Sequence, residues 1–117
     1  MKSVLRIEEA FMLGLAIYLN SYLPFAGWVF WALFLLPDIG MLGYLVNPKV
    51  GAFTYNLFHH KGLAIAVYLA GYFLIIHEIT LAGVVLFGHS SFDRIFGYGL
   101  KYSDNFKNTH LGWLGKA

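Results

Sequence analysis

The sequence predicts an all-α protein, a membrane-embedded antiparallel four-helix bundle in which residues 1–117 form a single integral membrane domain. Three observations carry that expectation. The chain is 59% hydrophobic and only 12% charged, whereas soluble domains carry roughly 25% charged residues. Its mean hydropathy is +0.65. Between residues 10 and 46 the only ionisable carboxylate is Asp38, and there is no Lys or Arg. A soluble domain of this length has too little interior to hide so much apolar surface.

A spanning helix needs about 20 mainly apolar residues. The first is expected near residues 7–22, ending at the polar "NSYLP". Lys2 and Arg6 precede it as in a secretory signal, but Glu8 and Glu9 interrupt the apolar run and no small-x-small site follows cleanly. It therefore reads as a permanent span. The second starts after Pro24 and includes "GWVFWALFLLPDIGMLGYLV". Stopped before Pro37, it would reach only about 18 Å of a hydrocarbon layer about 30 Å thick. It must run on toward Val46, with a kink where Pro37 deprives the Leu33 carbonyl of its helical donor. The third follows "NPK" through "GAFTYNLFHHKGLAIAVYLAGYFLII". Lys61 sits within it, so either this helix breaks near residues 61–62 or Lys61 faces a cavity. The fourth follows "HE" and ends near "FGYG", where glycine stops a helix.

Four spans place both termini and the 47–50 connection on one side, with Lys2, Arg6, Lys49, Lys101, Lys107 and Lys116. The other side receives no Lys or Arg. The positive-inside rule then expects a multi-pass protein of the bacterial inner (cell) membrane with both termini cytoplasmic. Cysteine is absent, which excludes disulfides and thiolate metal sites. The net charge of +2 is small and unclustered, so no nucleic-acid partner is expected. Membrane lipids and a homo-oligomer are the expected partners.

Depth along the spans singles out a set of residues. Asp38 lies roughly 12 Å inside its helix end, and Asn56 and His59 about 10 to 17 Å in from Lys49. His89 lies about 12 Å, and Asp93 about 6 Å, back from Gly97. Three spans thus carry polar residues at one level. His89 and Asp93 are four apart and share a helix face, as do Asn56 and His59 at a spacing of three. Imidazole nitrogens and carboxylate oxygens in this number suit zinc or another divalent metal, held by His59, His89, Asp93 and Asp38. Intramembrane ionisable groups otherwise form hydrogen-bonded clusters that join helices. Arg94 can bind a phosphate, or snorkel to headgroups. Glu9 can act as a base, although Glu8 and Glu9 also suit a helix start. His77 and Glu78 read as a solvated turn and His110 as a tail histidine or an extra ligand. "GYG" lacks the re-entrant pore helix of a selectivity filter, and haem would have only His59 with His89 as an axial pair.

With "LFLLPDIGMLGYL", "GAFTYNLFHH", "GHSSFDRIFGYGLKY" and "FKNTHLG" in place, the chain resembles the domain of unknown function 4260 family of small bacterial membrane proteins. The resemblance implies a multi-pass protein and points at Asp38, Tyr55, Asn56, His59, His89, Asp93, Arg94 and His110. It names no reaction. His60, Lys61 and His77 fall outside the pattern.

Two functions are expected to compete. One is a metal-dependent hydrolase of a lipid or phosphate ester, with Asp38, Asp93 and Arg94 catalytic and Tyr55, Asn56 and His110 lining the site. The other is a non-enzymatic membrane protein that binds a lipid or small ligand through a structural polar cluster. Ion transport is disfavoured by the uncharged outer halves of spans two and four.

Overall fold

A computed structural model describes residues 2–96, 100, 108–109 and 111–113. Among these residues the chain forms five α-helices and one 3-10 helix. The order is α1 (Lys2–Asn20), α2 (Gly27–Leu33), the 3-10 helix (Leu36–Leu45), α3 (Pro48–His59), α4 (Lys61–Leu74) and α5 (His77–Ile95). A two-residue antiparallel pair, β1 (Asn108–Thr109) with β2 (Gly112–Trp113), follows.

This architecture corrects the four-helix membrane bundle. The second expected span does not run through as one helix: α2 ends at Leu33, and the chain continues as the 3-10 helix with Pro37 in its first turn. Proline there occupies a position whose N–H needs no intrahelical partner. The third expected span is two helices. His60, with φ −81° and ψ 119°, ends α3 and starts α4, and its ring Nδ1 accepts the Leu63 N–H at 3.1 Å. The helix-break reading near residues 61–62 is thus the one that holds, with the break one residue earlier. Ile75, at φ 58°, ends α4 in the left-handed region.

Among the described residues a single stretch, Gly27–Leu45, is long and apolar enough to cross a membrane, and it is divided between α2 and the 3-10 helix. At 14 residues α4 reaches about 21 Å, short of the hydrocarbon thickness. The transmembrane bundle and the multi-pass inner-membrane topology with cytoplasmic termini are therefore overturned. The helices measure 40 × 34 × 23 Å overall, with a radius of gyration of 14.5 Å.

The spine is α5. It buries Thr80, Leu81, Gly83, Val84, Val85, Gly88, His89, Ser90 and Ser91. Against it pack α1 and α4, and Ala16, Phe30, Phe34, Leu81, Val84 and Val85 form the buried apolar cluster. Fully burying a side chain such as Phe30 contributes about 1.5–3 kcal/mol. The 3-10 helix packs on α3, where Thr54 Oγ1 donates to the Gly40 carbonyl. Leu81, Val85, His89 and Asp93 recur every four residues, so one face of α5 passes from core to polar site. Many large apolar side chains remain exposed, including Phe11, Trp28, Leu45 and Phe73.

The α4–α5 contact depends on a missing side chain. A Cβ on Gly83 would lie 2.4 Å from the Tyr68 backbone nitrogen, and backbone cannot step aside as a flexible side chain would. By contrast, Gly14 in α1 has nothing within 4 Å. Gly83→Ala should destabilise the protein by about 1–3 kcal/mol through overpacking. Gly14→Ala should stabilise it by about 0.5–1 kcal/mol through helix propensity. Urea melts of the two variants beside the parent check the opposite signs.

Candidate metal centre

Four side chains from three elements converge. Asp38 comes from the first turn of the 3-10 helix, His59 from the last turn of α3, and His89 and Asp93 from α5. One ligand atom from each lies within 4.8 Å of every other. Both imidazoles are buried, at 3% and 1% exposure, while the Asp38 side chain is 42% exposed and forms the open side.

Backbone carbonyls decide which ring nitrogens face inward. His59 Nδ1 donates to the Tyr55 carbonyl at 2.8 Å, and His89 Nδ1 donates to the Phe34 carbonyl at 2.7 Å. A carbonyl only accepts, so in the neutral ring the proton sits on Nδ1 and Nε2 presents a lone pair. Such a hydrogen bond from the outer ring nitrogen is the usual support of a metal-ligating histidine. Stacking of Tyr55 on His59, with centroids 3.9 Å apart and planes 9° apart, fixes one ring. Phe34, with its centroid 5.5 Å away, packs on the other. Ser90 Oγ donates to the His59 carbonyl at 2.7 Å and ties α3 to α5.

The inner nitrogens face carboxylates. His89 Nε2 lies 3.0 Å from Asp38 Oδ1 and 3.2 Å from Asp93 Oδ2. His59 Nε2 lies 3.4 Å from Asp38 Oδ1 and 3.1 Å from Asp93 Oδ2. Yet His59 Nε2 is buried and aligned with no hydrogen-bond partner. Ligands about 2.0–2.1 Å from a tetrahedral zinc stand roughly 3.3 Å from one another. The four nitrogen–oxygen separations of 3.0–3.4 Å match those edges. The cluster is therefore capable of coordinating a divalent ion, and its donors are the nitrogen and oxygen atoms that zinc accepts.

The electrostatics favour positive charge at the centre. Burial opposes the charged form of His89, but the Asp93 and Asp38 carboxylates and the Phe34 carbonyl outweigh it and lift His89 above its ordinary range. Burial alone would raise Asp93; the adjacent His59 and His89 imidazoles hold it at about 2. Burial, then the charges of Asp93 and Asp38, push the Tyr55 phenol far up, so it stays a neutral donor to Asp93.

The remaining expected residues divide. Arg94 is turned from the ligand atoms toward Glu9, at 3.9 Å. Asn56 is half-buried on α3 and outside the ligand set. His110 lies outside the described residues. Glu9 is buried against Lys61 and Arg94, and His77 and Glu78 are exposed at the start of α5. Sequence reasoning missed the carbonyl of Phe34 as the support of His89. Nothing in residue type marks a backbone acceptor 55 positions away. It also missed the Tyr55 carbonyl behind His59, although a backbone acceptor four residues back on the same helix is a local signal.

The chain belongs to the family described as domain of unknown function DUF4260, whose model matches residues 2–114. No curated protein and no solved structure matches it.

The pKa shifts fix the sign of a pH dependence for metal-free protein. Asp93 is depressed from 3.8 to about 2, so its contribution, on the order of 2 kcal/mol, is complete above the unfolded value and lost as pH falls through the folded one. His89 is raised, so its contribution is complete below about 6.5 and lost as pH rises through its folded value. Urea melts in chelator should show greatest stability between about pH 4 and 6.5. Asp93→Asn should flatten the acid limb, and His89→Gln the alkaline one.

Proposed function

We propose that this DUF4260 member is a metal-dependent hydrolase whose substrate is a lipid or phosphate ester. One observation carries the reading: two buried imidazoles, each with Nδ1 committed to a backbone carbonyl, turn Nε2 toward two carboxylates, and one of those nitrogens, His59 Nε2, has no aligned partner. Where the rings are neutral, their lone pairs repel carboxylates at 3.0–3.4 Å unless a proton or a metal ion lies among them.

In this reading His59, His89 and Asp93 hold the ion, leaving the fourth position open as catalytic zinc sites do. A divalent ion bound there would supply a water of lowered pKa and polarise the ester. Asp38, the half-exposed carboxylate, takes the water's proton as the water oxygen bonds to the ester centre, and returns it to the departing alkoxide as the ester bond breaks. Arg94, which faces Glu9 beside the centre rather than the ligand atoms, supplies positive charge to the substrate where negative charge develops. The apolar residues left exposed support membrane lipids, or a second copy of the chain, as partners.

The competing reading, a ligand-binding protein with a structural polar cluster, draws on Asp38–His89 being an ordinary hydrogen-bond length at 3.0 Å. Metal analysis separates them. Purified full chain equilibrated with zinc and desalted should retain about one ion per chain, and His89→Ala less than about a tenth of that. Asp38→Asn should keep the metal and cut hydrolysis of a chromogenic phosphodiester by about 10²–10⁴. A folded parent that retains no metal overturns the proposal.

A further inference from the structure

Beside the centre lies a second cluster, of which the proposed reaction uses only Arg94. Glu9 of α1 pairs with Lys61 Nζ at the start of α4, and its other oxygen faces Arg94 Nη1 of α5 at 3.9 Å. Lys61 also reaches the Met12 sulfur at 2.7 Å and lies 5.6 Å from the Phe87 ring centroid. All three charged side chains are mostly covered, at 14%, 11% and 16% exposure. Two cations thus share one carboxylate in a half-dry place. At 3.9 Å the Arg94–Glu9 pair is too long for a hydrogen bond. Among the described residues, that ion pair is the one polar contact of the guanidinium, so its five donors are largely unused.

Charge accounting points to a ligand. Among the described residues, two buried cations share one buried carboxylate, Glu9, and exposed Glu8 adds only a weaker pull on Lys61. An uncompensated buried charge is expensive unless something pairs with it. The metal centre adds no surplus, because a divalent ion balances Asp38 and Asp93. The two clusters adjoin. Arg94 follows Asp93 in the chain, Lys61 follows His59 by two residues, and Tyr55 both donates to Asp93 and interacts electrostatically with Arg94.

We infer that Arg94 and Lys61 form an anion subsite for a singly charged phosphodiester, with Glu9 holding the pair in place until the substrate arrives. This rests on the hydrolase reading and extends it to a substrate class. The guanidinium fork suits two phosphate oxygens, and lysine adds a point charge. A monoanionic diester would balance the Lys61, Glu9 and Arg94 group, whereas a dianionic monoester would leave it negative.

The test uses zinc-loaded full chain, in which Asp38 and Asp93 are balanced as the charge count requires, and reads binding rather than turnover. Titration calorimetry with dimethyl phosphate, and with inorganic phosphate at pH 8, should show tighter binding of the diester. Arg94→Gln and Lys61→Met should each weaken diester binding at least tenfold, and Arg94→Lys should recover part of the loss. Glu9→Gln, which removes the competing carboxylate, should tighten binding several-fold, an effect that a purely structural tie would not produce. The paired variant Glu9→Gln with Lys61→Met removes one charge of each sign and guards against misfolding; it should bind more tightly than Lys61→Met alone. Zinc retention by Arg94→Gln should equal the parent's, so loss of the subsite and loss of the metal centre are distinguishable. A parent that binds neither anion, or Arg94→Gln and Lys61→Met variants that lower Tm with diester affinity unchanged, would overturn the inference.

Discussion

Two imidazoles that surrender their outer N–H groups to backbone carbonyls are the constraint around which the site is organised. Once His59 commits Nδ1 to Tyr55 and His89 commits Nδ1 to Phe34, the inner nitrogens have nowhere to turn. They face Asp38 and Asp93 across 3.0–3.4 Å. The 3-10 helix, α3 and α5 must then meet at one place, because each contributes to the same small volume. A proton can satisfy that arrangement, as the raised His89 shows, and so can a metal ion.

The spine that makes this possible is α5. Its i,i+4 face is apolar at Leu81 and Val85, inside the main cluster, and polar at His89 and Asp93. Anchoring one half in the core positions the other half rigidly, which a site on loops would lack. Close approach at Gly83 brings α4 against the spine. The start of α4 places Lys61 beside Glu9 and two residues from His59. The ion network and the metal centre are therefore neighbours as a consequence of packing.

Much of the site was legible because helical spacing is local information. His89 with Asp93 needed only the i,i+4 rule, and Asp38 and His59 were found by their distance from helix ends. That distance argument assumed four unbroken spans, which the fold does not contain. It still found the right residues because Pro37 and His60 break the chain beside Asp38 and His59, leaving both at ends of the elements that converge on α5. Asn56 was placed beside the ligands by its i,i+3 spacing to His59, and Arg94 only as the residue after Asp93, but neighbours in sequence point apart on a helix. Arg94 accordingly looks toward α1.

What the residues alone determined was the all-helical class, the punctuation at Pro37 and near Lys61, and a polar set of two histidines and two aspartates. These follow from proline's missing donor, the periodicity of the helix and the chemistry of each side chain, all properties of short stretches. Tertiary structure decided how the apolar runs are divided, which ring nitrogens face inward, and that Glu9 meets both Lys61 and Arg94. Hydropathy measures how much apolar surface a segment has, not which neighbour covers it. The separations that mattered most, 55 residues from Phe34 to His89 and 52 from Glu9 to Lys61, are set by packing between helices, which local sequence does not encode.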